Sequence, residues 1–76
     1  MTQEFDVDQI IRQRIRTLRQ NLGWSLESLA SKSSLSVSTL SRIETGSRRI
    51  ALDQLMPIAK ALNTSLDELA STSEAE

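Results

Sequence analysis

Between residues 36 and 45 the chain reads SVSTLSRIET. Wound as a helix, Leu40 and Ile43 fall on one side. Val37, Ser38, Thr39, Ser41, Arg42 and Thr45 fall on the other. A face of hydroxyls and one guanidinium, backed by an apolar rear, does not make or break bonds. It offers donors, acceptors and a small apolar contact to base edges, and it suits insertion into the major groove of DNA. Arg42 is the sharpest element, because arginine can hold guanine O6 and N7 with two bonds. Its alternative is a surface arginine paired with a nearby acid. Ser38 and Thr39 could equally be plain surface polar residues, and Val37 could meet a thymine methyl or merely cover a turn.

Such a helix must be held outward by others. Residues 26–46, LESLASKSSLSVSTLSRIETG, read as a short helix, a tight turn at Ser33-Ser34-Leu35 and a second short helix from about Val37 to Thr45. Leu29, Ala30, Leu35, Leu40 and Ile43 are expected inside, with Ala30 small because steeply crossing helices bring their backbones close. Ser25 and Ser36 are expected N-caps, and Trp24 before the first cap can staple to Leu29. Gly23 and Gly46 sit just past helix ends, where a left-handed residue is needed.

Ahead of this pair, Ile11, Ile15, Leu18 and Leu22 form one apolar stripe on a helix from about Asp8 to Leu22. Asp6 or Asp8 can cap it. Residues 1–7 are expected as a loose arm. Behind the pair, Leu52, Leu55, Met56, Ala59 and Leu62 are expected to share a core face on a fourth helix, about 52–62. Pro57 inside it predicts a kink or an irregular first turn. Asn63 suits the left-handed position beyond. Ser65 and Glu68 form a capping box for a short fifth helix, about 66–70, and STSEAE closes the sequence as an acidic tail. The fold class is therefore all-α, with one domain at 8–70 between an arm at 1–7 and a tail at 71–76.

Seventy-six residues suffice for one domain with a modest core. The absence of cysteine and histidine leaves no disulfide framework, no thiolate or imidazole metal site and no histidine-based catalysis. No cofactor is expected, and no enzyme. No run of eighteen apolar residues exists, so a soluble, cytoplasmic protein without membrane attachment is expected. Two aromatics, Phe5 and Trp24, are too few for stacking on single strands.

The net charge is −1, but its distribution is uneven: residues 12–49 hold eight Lys and Arg against two acids, whereas 50–76 hold Lys60 against five acids. A local basic patch attracts phosphate even on a mildly acidic chain. Arg12, Arg14 and Arg16 by themselves read as a solvated helix face.

The segments IRTLRQNLGWSLESLASKS, LSVSTLSRIETGSRR and LDQLMPIAKALNTSLDEL together resemble the Cro/phage-repressor, or xenobiotic-response-element, type of helix-turn-helix domain over roughly residues 10–70. The resemblance implies a compact five-helix domain that binds operator DNA, usually as a homodimer, and regulates transcription. Matched residue by residue, it puts Val37, Ser38 and Arg42 at base-reading positions, with Thr39 beside them. Ser25 and Leu26 match the helix start that grips a phosphate. Thr45, Ser47, Arg48 and Arg49 match a region that approaches the DNA backbone. Arg19 and Glu44 match an internal ion pair, a structural role. The chain departs from the pattern at three places: Ser34 stands where glycine is usual, Leu26 where a polar glutamine is frequent, and Ile50-Ala51 where proline and serine are common.

These readings converge on a sequence-specific, double-stranded DNA-binding regulator, expected as a dimer on a palindromic operator. Two alternatives stand beside it. One is an antitoxin-like module that binds a partner protein, with Phe5, Val7 and Ile10 as candidate contacts. The other is the DNA-binding half of a regulator with a C-terminal sensor domain.

Overall fold

Among the described residues four are left-handed: Gly23, Ser34, Gly46 and Asn63, with φ of 74°, 60°, 88° and 59°. Each lies just past a helix, and each is followed by an amide that reaches back five residues. Trp24 donates to Arg19, Leu35 to Ala30, Ser47 to Arg42 and Thr64 to Ala59, at 2.9–3.1 Å. These bonds satisfy carbonyls that a helix end otherwise leaves without donors. The computed structural model describes residues 7–47 and 49–70. It contains α1 (Val7–Asn21), α2 (Leu26–Ser33), α3 (Val37–Thr45), α4 (Leu52–Ala61) and α5 (Leu66–Ala70), and no strand among the described residues.

The helix starts follow from their caps. Ser25 and Ser36 are extended, and their hydroxyls accept from the amides of Ser28 and Thr39 at 3.0 and 3.1 Å. Ala51 precedes α4 and makes no side-chain cap, as its departure from the family pattern implies. At α5 the capping box is half formed. Ser65 accepts from the Glu68 amide at 3.1 Å, but the Glu68 carboxylate accepts from the Thr64 hydroxyl at 2.7 Å instead of reaching back to the main chain. The Asp6 cap and the arm fall outside the described residues, apart from Val7, which opens α1.

The core joins all five helices: Ile11 and Ile15 of α1, Leu29 and Ala30 of α2, Leu40 and Ile43 of α3, Leu55, Ile58 and Ala59 of α4 with Leu62, and Leu69 of α5. Leu18, Trp24 and Leu35 pack against it, half-buried. Ala30 is 2% exposed, which fits the close approach of α2 to its neighbours. Ser33 closes α2 instead of opening the turn. It is buried, and its hydroxyl donates to the Leu29 carbonyl at 2.7 Å.

Two stripes need correction. Leu22 is 49% exposed because α1 ends at Asn21 and the chain turns away before the next apolar position. On α4, Leu52 and Met56 are 62% and 54% exposed, while Ile58, absent from the expected face, is fully buried. LDQLMPIAKAL is apolar around much of its circumference, so periodicity alone allows two faces. Packing against α2 and α5 selects Leu55, Ile58, Ala59 and Leu62. Pro57 leaves α4 a single unbroken helix from Leu52 to Ala61. No described helix is long and apolar enough to cross a membrane.

Candidate nucleic-acid interface

The rear of α3 is sealed and its front is open. Leu40 and Ile43 have no exposed surface, whereas Val37, Ser38 and Arg42 are exposed. The helix is anchored by its apolar side into the core, so the outward side chains keep freedom to meet a ligand. Among the described residues Arg42 makes no ion pair with an acid. Its alternative reading as half of a surface ion pair therefore gains no support among the described residues.

Two hydroxyls on this helix are less free than Ser38. Thr39 is half-buried, and its oxygen accepts from the Ser36 hydroxyl at 2.9 Å. Thr45 donates to the Ser41 carbonyl at 2.9 Å and lies 3.2 Å from the Ser47 hydroxyl. Each can still accept a further bond, because a hydroxyl oxygen carries two lone pairs.

The N-terminus of α2 borders the same motif. Ser25 is exposed, with its hydroxyl committed to the cap, and Leu26 is half-buried against the core. What this end offers an anion is its free first-turn amides rather than the Leu26 side chain. Ser47 and Arg49 are exposed beyond α3. Arg48 lies outside the described residues.

Behind the face lies an ion pair that joins α1 to α3. Arg19 Nε donates to Glu44 Oε2 at 2.8 Å and Nη2 to Oε1 at 2.9 Å, while Nη1 donates to the Trp24 carbonyl at 3.0 Å. Glu44 is buried, with its side chain only 5% exposed. The bonds that Arg19 donates to Glu44 raise the Arg19 pKa, against the smaller opposing effect of desolvation. Trp24 in turn carries the Lys32 ammonium 4.9 Å from its ring centroid, an attraction the sequence did not suggest.

Of the arginines expected as a solvated face, Arg14 and Arg16 are tied to other helices, and Arg12 bonds within α1. Arg12 donates to Gln9 at 3.0 Å, Arg14 to the Glu68 carbonyl at 2.7 Å and Arg16 to the Glu44 carbonyl at 2.9 Å. Positions 12, 16 and 19 share one side of a helix, but their spacing does not say which element that side meets.

A helix-turn-helix family model matches residues 15–69, most of the chain. Solved structures similar to it include the restriction-modification controller protein C.AhdI from Aeromonas hydrophila, 37% identical, covering 79% of this chain and 91% of that one, with a TM-score of 0.75. The restriction-modification controller protein C.Esp1396I is 30% identical, covering 87% of this chain and 86% of that one, at 0.77. A hypothetical transcription factor, NHTF, from Neisseria is 30% identical, covering 92% and 80%, at 0.82. No curated protein sequence matches the chain. The chain belongs to the Cro/C1-type helix-turn-helix family of DNA-binding transcription regulators.

Proposed function

We propose that the protein binds a palindromic operator in double-stranded DNA as a homodimer, each protomer laying α3 in the major groove and altering transcription from that site without enzymatic chemistry. The observation that carries this reading is the two-sided character of α3, with Leu40 and Ile43 buried and Val37, Ser38 and Arg42 exposed. Arg42 reads guanine, Ser38 and Thr39 supply hydroxyls to neighbouring base edges, and Val37 meets a thymine methyl. The first-turn amides of α2 behind Ser25, and the segment from Thr45 through Ser47 and Arg48 to Arg49, neutralise phosphates and fix the register. Two similar proteins are restriction-modification controllers, which fits a regulatory role.

Dimerisation is supported by the outer side of α4. Leu52 and Met56 are exposed there, and a shallow apolar groove runs from Met56 and Pro57 past Ala59 to Leu66. Apolar side chains left exposed side by side suit coverage by a second copy of the chain. A two-fold dimer places its half-sites about one helical turn, ~34 Å, apart on one side of the DNA.

Selection of bound duplexes from a random pool at near-physiological salt tests the reading. A palindromic consensus is the expected result. Uniform recovery of all sequences would overturn it, and tight capture of a partner protein in its place would favour an antitoxin-like module.

A further inference from the structure

Arg12, Arg16 and Arg19 occupy one face of α1, and all three reach the carboxyl end of α3. Arg19 holds the Glu44 carboxylate. Arg16 takes the main chain: its Nη2 donates to the Glu44 carbonyl at 2.9 Å, and its Nε stands 3.8 Å from Glu44 Oε1. Carbonyls in the last turn of a helix have no helical donor. In α3 the Arg42 carbonyl takes the amides of Gly46 and Ser47, both at 3.0 Å. The Glu44 carbonyl takes Arg16, so a cation from another helix caps α3 where the helix dipole is negative. Arg12 lies against the turn that follows. A Cβ at Gly46 would stand 3.4 Å from Arg12 Nε and Cζ.

We infer that Arg16 is a positioning residue for base reading: from α1 it fixes the axial position and tilt of α3, and with them which base edges Ser38 and Arg42 meet. The inference rests on the proposed DNA-reading role of α3. Arg16 is half-exposed, so a direct phosphate contact is the competing role. The geometry disfavours it, because Arg16 would have to leave a helix-end carbonyl and the neighbourhood of a buried carboxylate to reach DNA. The side chain supplies specificity without touching a base.

Two readouts on Arg16→Gln and Arg16→Lys separate these roles. The first needs no DNA. Exchange of the Gly46 and Ser47 amides is expected to quicken about tenfold in Arg16→Gln, with a smaller change in Arg16→Lys, which keeps the charge and one reachable donor. The second compares the selected duplex with one altered at the base pair assigned to Arg42. Arg16→Gln is expected to lower that discrimination about fivefold or more, while the slope of log K against log salt stays as in the wild type. Equal loss on both duplexes, with the slope reduced by about 0.9, would identify a phosphate contact and overturn the inference. Unchanged amide exchange would overturn it as well, whatever the DNA arm shows. Should the wild type prefer no duplex, it is the DNA-reading role that fails, and exchange alone then judges the clamp.

Discussion

Arg19 and Glu44 meet in two parallel N–H···O bonds, 2.8 and 2.9 Å long, across the joint between α1 and α3. A buried carboxylate is costly unless paired and hydrogen-bonded. Here the planar fork of one arginine supplies both bonds, and Arg16 adds a second positive charge at 3.8 Å. The pair couples stability to function, since the same glutamate that closes the core belongs to the proposed reading helix. The Arg19 side of the pair carries a pH dependence with a definite sign. A raised arginine pKa contributes stability that is complete below the unfolded value and is lost only as pH rises through the folded one, a strongly alkaline range.

Breaking the pair from one side should therefore cost far more than replacing it. Arg19→Met leaves Glu44 buried with only Arg16 near it, and about 2–4 kcal/mol of stability is expected to be lost. The double variant Arg19→Met with Glu44→Leu should recover at least half of that, because no charge is then stranded. Urea unfolding at neutral pH measures both. A double variant no better than the single would show that the Trp24 carbonyl bond, not the stranded charge, dominates.

Stability can also be raised away from the DNA face. Ser34 adopts φ 60° and ψ 34°, a region costly for any residue with a Cβ. Ser34→Gly is expected to gain about 0.5–1 kcal/mol, less whatever the freer unfolded chain takes back. Ala51→Ser supplies the missing cap of α4, with an expected gain of about 1 kcal/mol. The two sites share no hydrogen bond, so their effects should add. Thermal and urea unfolding would reveal either failure.

Most of the architecture was legible because local chemistry and tertiary packing agree. Ser25, Ser36, Gly23, Gly46 and Asn63 all act where their types predict, at helix ends. The α2–turn–α3 core of Leu29, Ala30, Leu40 and Ile43 follows from helical spacing alone. The errors arose where spacing was degenerate. The circumference of α4 offers two apolar faces, and only its neighbours decide that Ile58 goes in and Leu52 stays out. At the site, the exposure of Arg42 and Ser38 was readable, but the internal duties of Arg12 and Arg16 were not. Those depend on α1 crossing the end of α3, a contact between residues 28 apart in the chain for Arg16 and Glu44.

The proposed division of labour between Arg42 and Arg49 gives opposite signatures. Arg42→Ala should cost about 1–3 kcal/mol on the selected operator and relax preference at one base pair only. Arg49→Ala should weaken all duplexes alike and reduce the salt slope by about 1. Titrations at several salt concentrations, on the operator and on an unrelated duplex, distinguish the two. Exchange of these signatures between the variants would mean that the loop reads bases and the helix only positions.

The exposed side of α4 supplies the last prediction. Leu52 and Met56 cost solvation while contributing nothing to the core, so they can be changed without loss of the fold. Met56→Glu puts a charge into the centre of the proposed contact, and in a two-fold dimer that charge appears twice, one facing the other. Sedimentation is expected to show dimer for the wild type and monomer for the variant, with the helical circular dichroism signal unchanged. Binding to the full palindrome should fall by at least tenfold, because two half-sites no longer share one protein, whereas binding to an isolated half-site should stay the same. A variant that remained a dimer would move the interface off α4, and loss of half-site binding would mean that Met56 supports the reading helix from behind instead of joining two copies.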